Sequence, residues 1–483
     1  MKLDQLVAGA PSIEITGITA DSRKVKPGFL FAALQGVAKD GRDYIEGAIK
    51  SGAVAVLTDD RAGEWSVPAV KSADPRLTLA TAAAAFYPQQ PATVAAVTGT
   101  NGKSSTVDFL RQIWAHMGRK AASMGTLGAI GPSGSIDLGH TTPDPVMIHE
   151  TLAKLANEGV THAAMEASSH GLAQYRLHGV KLAAGAFTNL TQDHLDYHAN
   201  FDDYRRAKLK LFSELLPKGA PAVINADSAE LDAFEAAAKA AGLVPFTVGW
   251  RGRDLRIAEA LPRGTGQDLV IQWGEGPSAG NERKVHLPLI GEFQALNALC
   301  AAGIAMSLGD DVNKVLDGLA VLKGVHGRLE LVGQTAAKAP VFVDYAHTPD
   351  GLNVLLRAAR PHVRGKLIVV FGCGGDRDAT KRPIMGDVAR RLADEVIITD
   401  DNPRSEEPAA IRAAIRKGAP DASEIGDRAS AIMEGVRRLK AGDALLIAGK
   451  GHETGQIVKG VTIPFSDFDV ARSALTEVGG SHG

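Results

Sequence analysis

The stretch that most constrains this chain is Thr98-Gly99-Thr100-Asn101-Gly102-Lys103-Ser104-Ser105-Thr106. It lies between an apolar β-branched run, TVAAV at 93–97, and a segment of helical periodicity, VDFLRQIWAHMG at 107–118. Strand, glycine-rich loop, helix is the setting of a phosphate cradle. Glycines let the backbone turn its N–H groups inward, and the helix that follows points its positive end at the same place. Lys103 can reach β- and γ-phosphates, and Ser104 can ligate Mg²⁺. Val97 stands where the eight-residue form of the pattern carries its first glycine, so this is a shorter, variant loop.

The same alternation recurs along the chain. GAFTN at 185–189, AVIN at 222–225, VFVD at 341–344, LIVVF at 367–371, EVIIT at 395–399 and ALLIA at 444–448 read as strands between Ala-rich helical stretches. That predicts α/β architecture with parallel sheets covered on both faces. Residues 251–284 are Gly-rich and alternate polar with apolar, as a small antiparallel excursion would. With 483 residues, a chain at roughly 100–200 residues per domain holds about three domains. YPQQP at 87–91 and LKGVHGRLE at 322–330 mark two seams, dividing the chain into 1–87, 88–329 and 330–483. Hydrophobic residues at 45% and charged residues at 22% are globular rather than disordered. A net charge of −2 argues against a general nucleic-acid binder. Two cysteines, Cys300 and Cys373, make no disulfide framework and fit a reducing cytosol. Neither a secretory leader nor a membrane-length apolar run is present, so a cytoplasmic protein is expected.

Beyond the loop, further blocks occur in order: TTPD at 141–144, MEASSHGL at 165–172, TNLTQDHLDYH at 188–198, GRLE at 327–330, DYAHTP at 344–349 and DNPR at 401–404. Together they resemble the Mur ligases, the ATP-dependent amino-acid ligases that build the peptidoglycan stem peptide. The resemblance runs from residue 21 to residue 453. It implies three domains: an N-terminal one for a UDP-sugar, a central P-loop ATPase built on a parallel sheet, and a Rossmann-like C-terminal one for the incoming amino acid. It also implies the chemistry. A D-glutamate carboxylate of UDP-N-acetylmuramoyl-L-alanyl-D-glutamate is phosphorylated by ATP, and an amine attacks the acyl phosphate. Phosphoryl transfer between anions needs concentrated positive charge.

The resemblance also distributes roles. Gly99, Thr100, Asn101, Gly102, Lys103, Ser104 and Ser105 would cradle ATP, with Asn297, Arg328 and Asp344 as further nucleotide contacts and Gln294 and His347 beside them. Lys103, Lys208 and Arg328 would be catalytic. Ser104, Glu166, His194 and Lys208 would hold Mg²⁺, Lys208 as its N6-carboxylated form; His198 is a lesser candidate. Carbamylation needs a neutral amine, which crowding by Arg205, Arg206 and metal would favour. Lys210, two positions on, competes with Lys208 for this role. Ala20, Ser22, Val37, Ala38, Lys39, Thr141, Thr142, Ser168, Gln174 and Arg176 would follow the UDP-sugar and its dipeptide.

For the amino acid added, Asp401-Asn402-Pro403-Arg404 is the informative block. Meso-diaminopimelate carries a second amino-carboxylate centre that L-lysine lacks, and an Arg404 guanidinium can grip that carboxylate bidentately. Asp401 or Asn402 can accept from its ammonium. By resemblance Arg377, Gly449 and Glu453 complete the pocket. A lysine-adding ligase of the same family is the nearest rival. Folylpolyglutamate synthase shares the loop but is disfavoured by the Asp21-Ser22-Arg23 block and by DNPR. A non-catalytic ATP-binding scaffold would predict a damaged metal set, and a nucleic-acid motor a basic face. A monomer without nucleic-acid or membrane partners is expected.

Overall fold

The computed structural model describes residues 1–36, 40–59, 63–191, 197–274 and 280–482. The chain divides into two compact units, Met1–Asp254 with Leu299–Val315, and Leu255–Ala298 with Leu316–Gly483.

The first unit opens with a four-stranded parallel sheet, Gly17–Thr19, Phe29–Ala32, Ala53–Thr58 and Ala69–Lys71 in that order. Alternate residues of its strands feed two cores. Leu30, Ala32, Ala55 and Leu57 pack on one side, Phe31, Ala33, Ala53 and Val56 on the other. Its larger sheet runs Val244–Gly249, Pro221–Asn225, Ala184–Phe187, Thr93–Thr98, His162–Glu166 and Ala121–Gly125, all parallel. The antiparallel strands Gly128–Gly131 and Gly134–Ile136 extend it. Helix Leu231–Ala240 is held to it by Phe234, whose ring stacks on Phe187 with centroids 3.6 Å apart.

In the second unit, Leu255–Arg263, Gly266–Trp273 and Asn281–Leu287 form the antiparallel excursion expected at 251–284. The main sheet is ordered Ser423–Glu424, Glu395–Ile398, Leu367–Phe371, Ala444–Ala448, Pro340–Asp344, Glu330–Gln334, Ser481–His482. The first five strands are parallel and the last two pair antiparallel. LIVVF is apolar throughout because both its faces are covered. Leu367, Val369 and Phe371 enter one core, Ile368 and Val370 the other. Ligand crevices in such sheets open at the carboxyl ends of the strands, and the loops at 372–376, 399–404 and 449–453 lie there. Among the described residues no helix is long and apolar enough to cross a membrane. Cys300 and Cys373 are free and buried.

Candidate active site

The strand Thr93–Thr98 runs directly into the phosphate loop, and helix Lys103–His116 leaves it. Gly99 has φ +149° and a Cβ there would fall 1.9 Å from Thr188 Oγ1, so only glycine fits. Gly102, at φ +86°, begins the helix. Residues just beyond the neighbouring strand clamp the loop. Thr100 N donates to Asn189 O at 2.8 Å, Asn101 N to Asn189 Oδ1 at 3.0 Å, and Thr188 Oγ1 to Asn101 O at 2.6 Å. Lys103 Nζ lies across the loop, donating to the carbonyls of Gly99 at 2.9 Å and Thr100 at 2.8 Å. Ser104 and Ser105 are buried in the first helical turn, where free N–H groups favour an anion.

Glu166 ends the strand His162–Glu166 and is 2% exposed. Its Oε1 accepts from Ser104 Oγ at 2.9 Å and Thr126 N at 2.8 Å. A Cβ on Gly125 would sit 2.0 Å from that oxygen, so the glycine makes room for the carboxylate. A hydroxyl beside a buried carboxylate at a phosphate loop is a hard-oxygen donor pair suited to Mg²⁺. Lys208, on helix Phe201–Lys210, is 1% exposed. Its Nζ donates to Gly99 O at 2.7 Å and lies 4.5 Å from the centre of the Tyr204 ring. Tyr204 OH in turn meets Thr100 Oγ1 at 3.0 Å. Lys210 instead reaches Glu214 at 3.6 Å, nearer the surface.

The expected crowding of Lys208 by arginines is corrected. Arg205 pairs with Asp202 and Glu230, and Arg206 turns outward to Asp203. Burial, not crowding, is what sets Lys208 apart. His194 lies outside the described residues, as do Val37, Ala38 and Lys39. His198 is buried and its Nδ1 faces Asp203 Oδ2 at 3.2 Å. Among the described residues no group of three or more His, Cys, Asp or Glu side chains could hold a metal.

Thr141, Thr142, Ser168, Gln174 and Arg176 come together beside Glu166. Thr142 Oγ1 donates to Glu166 O at 2.8 Å and accepts from Ser168 N at 3.0 Å. Thr141 and Thr126 share a hydroxyl contact at 2.9 Å. Ser168 caps the helix Ser169–Ala173. Arg176 donates to Thr142 O at 2.6 Å and to Gln174 Oε1 at 2.8 Å. Arg76 reaches the same Gln174 oxygen at 3.4 Å. Ser22 opens a short 3-10 turn capped by Asp21, and Ala20 is half-buried just before it.

In the second unit, Arg328 lies with its guanidinium carbon 4.7 Å from the centre of the Tyr345 ring, and its Nε is buried without a hydrogen-bond partner. Asp344 fixes that turn, accepting from Leu329 N and Ala346 N, each at 2.7 Å. Burial raises the Asp344 carboxyl above its ordinary range, against the pull of Arg328 and the two N–H groups. His452 packs 5.1 Å from the Tyr345 ring; burial and Arg328 push its imidazole down to about 4. Gln294 donates to Arg328 O at 3.1 Å and accepts from Asn297 Nδ2 at 3.1 Å. His347 is exposed.

The DNPR block follows strand Glu395–Ile398. Arg404 holds φ +52°, a strained value for a residue with a side chain. It is kept there by the hairpin of Gly455–Val458 and Val461–Pro464. Its N–H donates to Ile457 O at 2.9 Å and its carbonyl accepts from Lys459 N at 2.7 Å. Its guanidinium donates to Gly375 O at 2.8 Å, and a Cβ on Gly374 would sit 2.7 Å from it. Asn402 Nδ2 donates to Glu453 Oε2 at 2.9 Å, so the two residues the sequence separates meet. Pro403 is buried in the same turn. At Gly449, φ +122°, a Cβ would stand 2.7 Å from Asp401 Oδ2. Arg377 is exposed at the rim.

Comparison with known proteins shows the family. The Mur ligase family catalytic domain matches residues 14–97, the Mur ligase middle domain 97–305, and the Mur ligase glutamate ligase domain 327–451. The chain belongs to the Mur ligase family. It is 53% identical over 471 residues to the UDP-N-acetylmuramoyl-L-alanyl-D-glutamate--2,6-diaminopimelate ligase of Caulobacter vibrioides, covering 96% of each chain. The enzyme of that name from Mesorhizobium japonicum is 51% identical, with 99% of each chain covered. A solved structure of a ligase of that name superposes with a TM-score of 0.74 at 32% identity, over 99% of each chain.

This Mur ligase also shows residues that sequence reasoning missed. Arg76 on Gln174, Tyr204 on Thr100 and Tyr345 under Arg328 act across gaps of 17 or more positions, and Lys450 joins Glu453 to Asn402, 48 positions away. Tyr345 lies within the DYAHTP block at 344–349 and Lys450 within GKGHE at 449–453.

Proposed function

We propose that this Mur ligase joins meso-diaminopimelate to the D-glutamate of UDP-N-acetylmuramoyl-L-alanyl-D-glutamate, with ATP converted to ADP and phosphate, in peptidoglycan precursor synthesis. The observation that carries the reading is the acceptor pocket. Arg404 is held in a strained conformation with its guanidinium on Gly375 O, and Asn402 of the same turn meets Glu453, which supplies a cation and a carboxylate for the two charges of the distal amino-acid centre. Relatives at half identity over nearly the whole chain carry diaminopimelate in their names. In a lysine-adding ligase the acceptor has no distal carboxylate for Arg404.

The roles follow from chemistry. Gly99 to Ser105 cradle the triphosphate, with Asn297, Arg328 and Asp344 as further nucleotide contacts. Lys103 leaves its loop carbonyls to face the transferred phosphoryl group, and Arg328 adds a second cation. The γ-phosphoryl passes to the D-glutamate carboxylate, the amine attacks the acyl phosphate, and phosphate departs. Ser104, Glu166, His194 and a carboxylated Lys208 would hold Mg²⁺, which when bound offsets phosphate charge. Carboxylation would take the deprotonated Lys208 amine and CO₂ to a carbamate with release of a proton, giving an anion whose burial a bound Mg²⁺ would offset. Loss of the added mass and of activity in bicarbonate-free buffer tests this; a fully active Lys208→Ala variant would refute it. Ala20, Ser22, Val37, Ala38, Lys39, Thr141, Thr142, Ser168, Gln174 and Arg176 follow the UDP-sugar. The reading uses domains 1–87, 88–329 and 330–483, a monomer, and the cytoplasm.

The deciding experiment is ADP release with ATP, Mg²⁺ and UDP-N-acetylmuramoyl-L-alanyl-D-glutamate, offering meso-diaminopimelate or L-lysine in turn. Turnover with diaminopimelate alone is expected. Turnover with lysine keeps the ligase and refutes the pocket. Turnover with neither refutes both.

A further inference from the structure

Lys450 is wholly buried, and nothing in the reading above uses it. It follows strand Ala444–Ala448, and its ammonium donates to Asn402 Oδ1 at 3.0 Å and Glu453 Oε2 at 2.9 Å. Asn402 Oδ1 also accepts from Ile457 N at 2.9 Å. With two donors on its oxygen, the Asn402 amide has one orientation, and its Nδ2 must point to Glu453 Oε2. That single oxygen of Glu453 therefore takes both the lysine and the amide. Among the described residues Glu453 Oε1 takes no hydrogen bond, and the side chain is 32% exposed. The carboxylate is thus pinned by one oxygen and offers the other.

A buried ammonium is costly unless it is paired. Two partners, one of them an anion, satisfy it here, and both belong to the pocket that the diaminopimelate reading assigns to the distal centre. We infer that Lys450 is a positioning residue for acceptor specificity: it fixes Asn402 and Glu453 so that Glu453 Oε1 receives the distal ammonium while Arg404 receives the distal carboxylate. This inference rests on the proposed function. Lys450 touches no reacting atom; it acts through Asn402 and Glu453.

A double-mutant cycle on the full chain tests it, with ATP, Mg²⁺ and the UDP-dipeptide saturating. Lys450→Met and Glu453→Gln should each raise the KM for meso-diaminopimelate about tenfold, with kcat and the KM for ATP within about threefold. The double variant should be no worse than the weaker single variant, because both changes remove one device. A second readout is 2-aminopimelate, which lacks the distal amine. The unaltered chain should prefer diaminopimelate, and Lys450→Met should bring the two acceptors to within about threefold in kcat/KM. Lys450→Gln, which keeps a donor without the charge, should recover part of the preference, and it decides the question if the Met variant does not fold. An unchanged KM, additive losses in the cycle, or an unchanged preference would overturn the assignment. If the unaltered chain turns over no diaminopimelate, the functional reading falls and this inference with it. If it does and Lys450→Met matches it, this inference alone falls.

Discussion

The phosphate loop around Lys103 and the acceptor pocket around Arg404 both lie at the carboxyl ends of parallel strands, yet they are assembled in different ways. The first is made by one continuous stretch of nine residues whose glycines and helix start are prescribed by backbone geometry. Its supports, Thr188 and Asn189, act on the loop's own N–H and C=O groups. The second is made from three separate stretches, at 374–377, 401–404 and 449–457, and side-chain contacts among Asn402, Lys450 and Glu453 join the last two. A backbone cradle tolerates little beyond glycine at its turns. A side-chain pocket can be retuned by changing its supports, which suits the part of the enzyme that must choose among amino acids.

The largest effect expected of a single change lies in the cradle. Lys103→Ala should lower kcat by roughly 10²–10³-fold, the scale for removing one preorganised charge from a developing anion, with folding intact. Phosphate release under saturating substrates measures it, and a loss under tenfold would mean that the loop binds nucleotide without driving transfer. In the pocket unit the comparable change is remote from substrate. Arg428 and Asp467 form a fully buried ion pair at 2.6 and 2.7 Å, and Arg428 also donates to the carbonyls of Asp400 and Ala448, where two pocket loops begin. Asp467→Asn leaves a buried charge without its counter-ion and should cost about 3 kcal/mol in urea unfolding. Unchanged stability would show that the pocket does not hang on that pair.

These contrasts explain what could be read from the sequence. The strands LIVVF and ALLIA are found with the bounds expected, Leu367–Phe371 and Ala444–Ala448, because burial on both faces leaves an unbroken apolar run. The strand in GAFTN ends two residues sooner than its apolar pattern predicts, at Phe187, since Thr188 and Asn189 turn to serve the phosphate loop. The cradle was legible because its constraint is local. Arg404 was legible as a residue, but its positive φ and the hairpin that imposes it were not, since Ile457 and Lys459 belong to a stretch with no motif. Lys450 has no motif role in the sequence; only the fold shows its ammonium sealed between two pocket side chains. The burial of Lys208 was hidden for the same reason, on a helix whose other cations face carboxylates.

Next in size is the pocket's own cation. Arg404→Ala should raise the KM for meso-diaminopimelate about thirtyfold, the equivalent of about 2 kcal/mol for one charge-assisted contact left unmade. The KM for ATP should stay within about twofold. Equal losses on both substrates would dissolve the distinction between the two regions.

The smallest effect is the most discriminating, because it touches the cradle through a side chain. Tyr204 OH is the buried partner of Thr100 Oγ1, and its ring carries Lys208 on its face. Tyr204→Phe keeps the ring and removes only the hydroxyl. A net hydrogen bond of about 1 kcal/mol corresponds to roughly fivefold, and the KM for ATP should rise by that much while the KM for diaminopimelate holds. If the cradle is defined by backbone alone, the ATP KM will not move and the loop's geometry will be independent of the helix beneath it. If instead kcat falls more than the KM for ATP rises, the hydroxyl is setting Lys208 as well as Thr100, and the cradle is as dependent on side chains as the pocket.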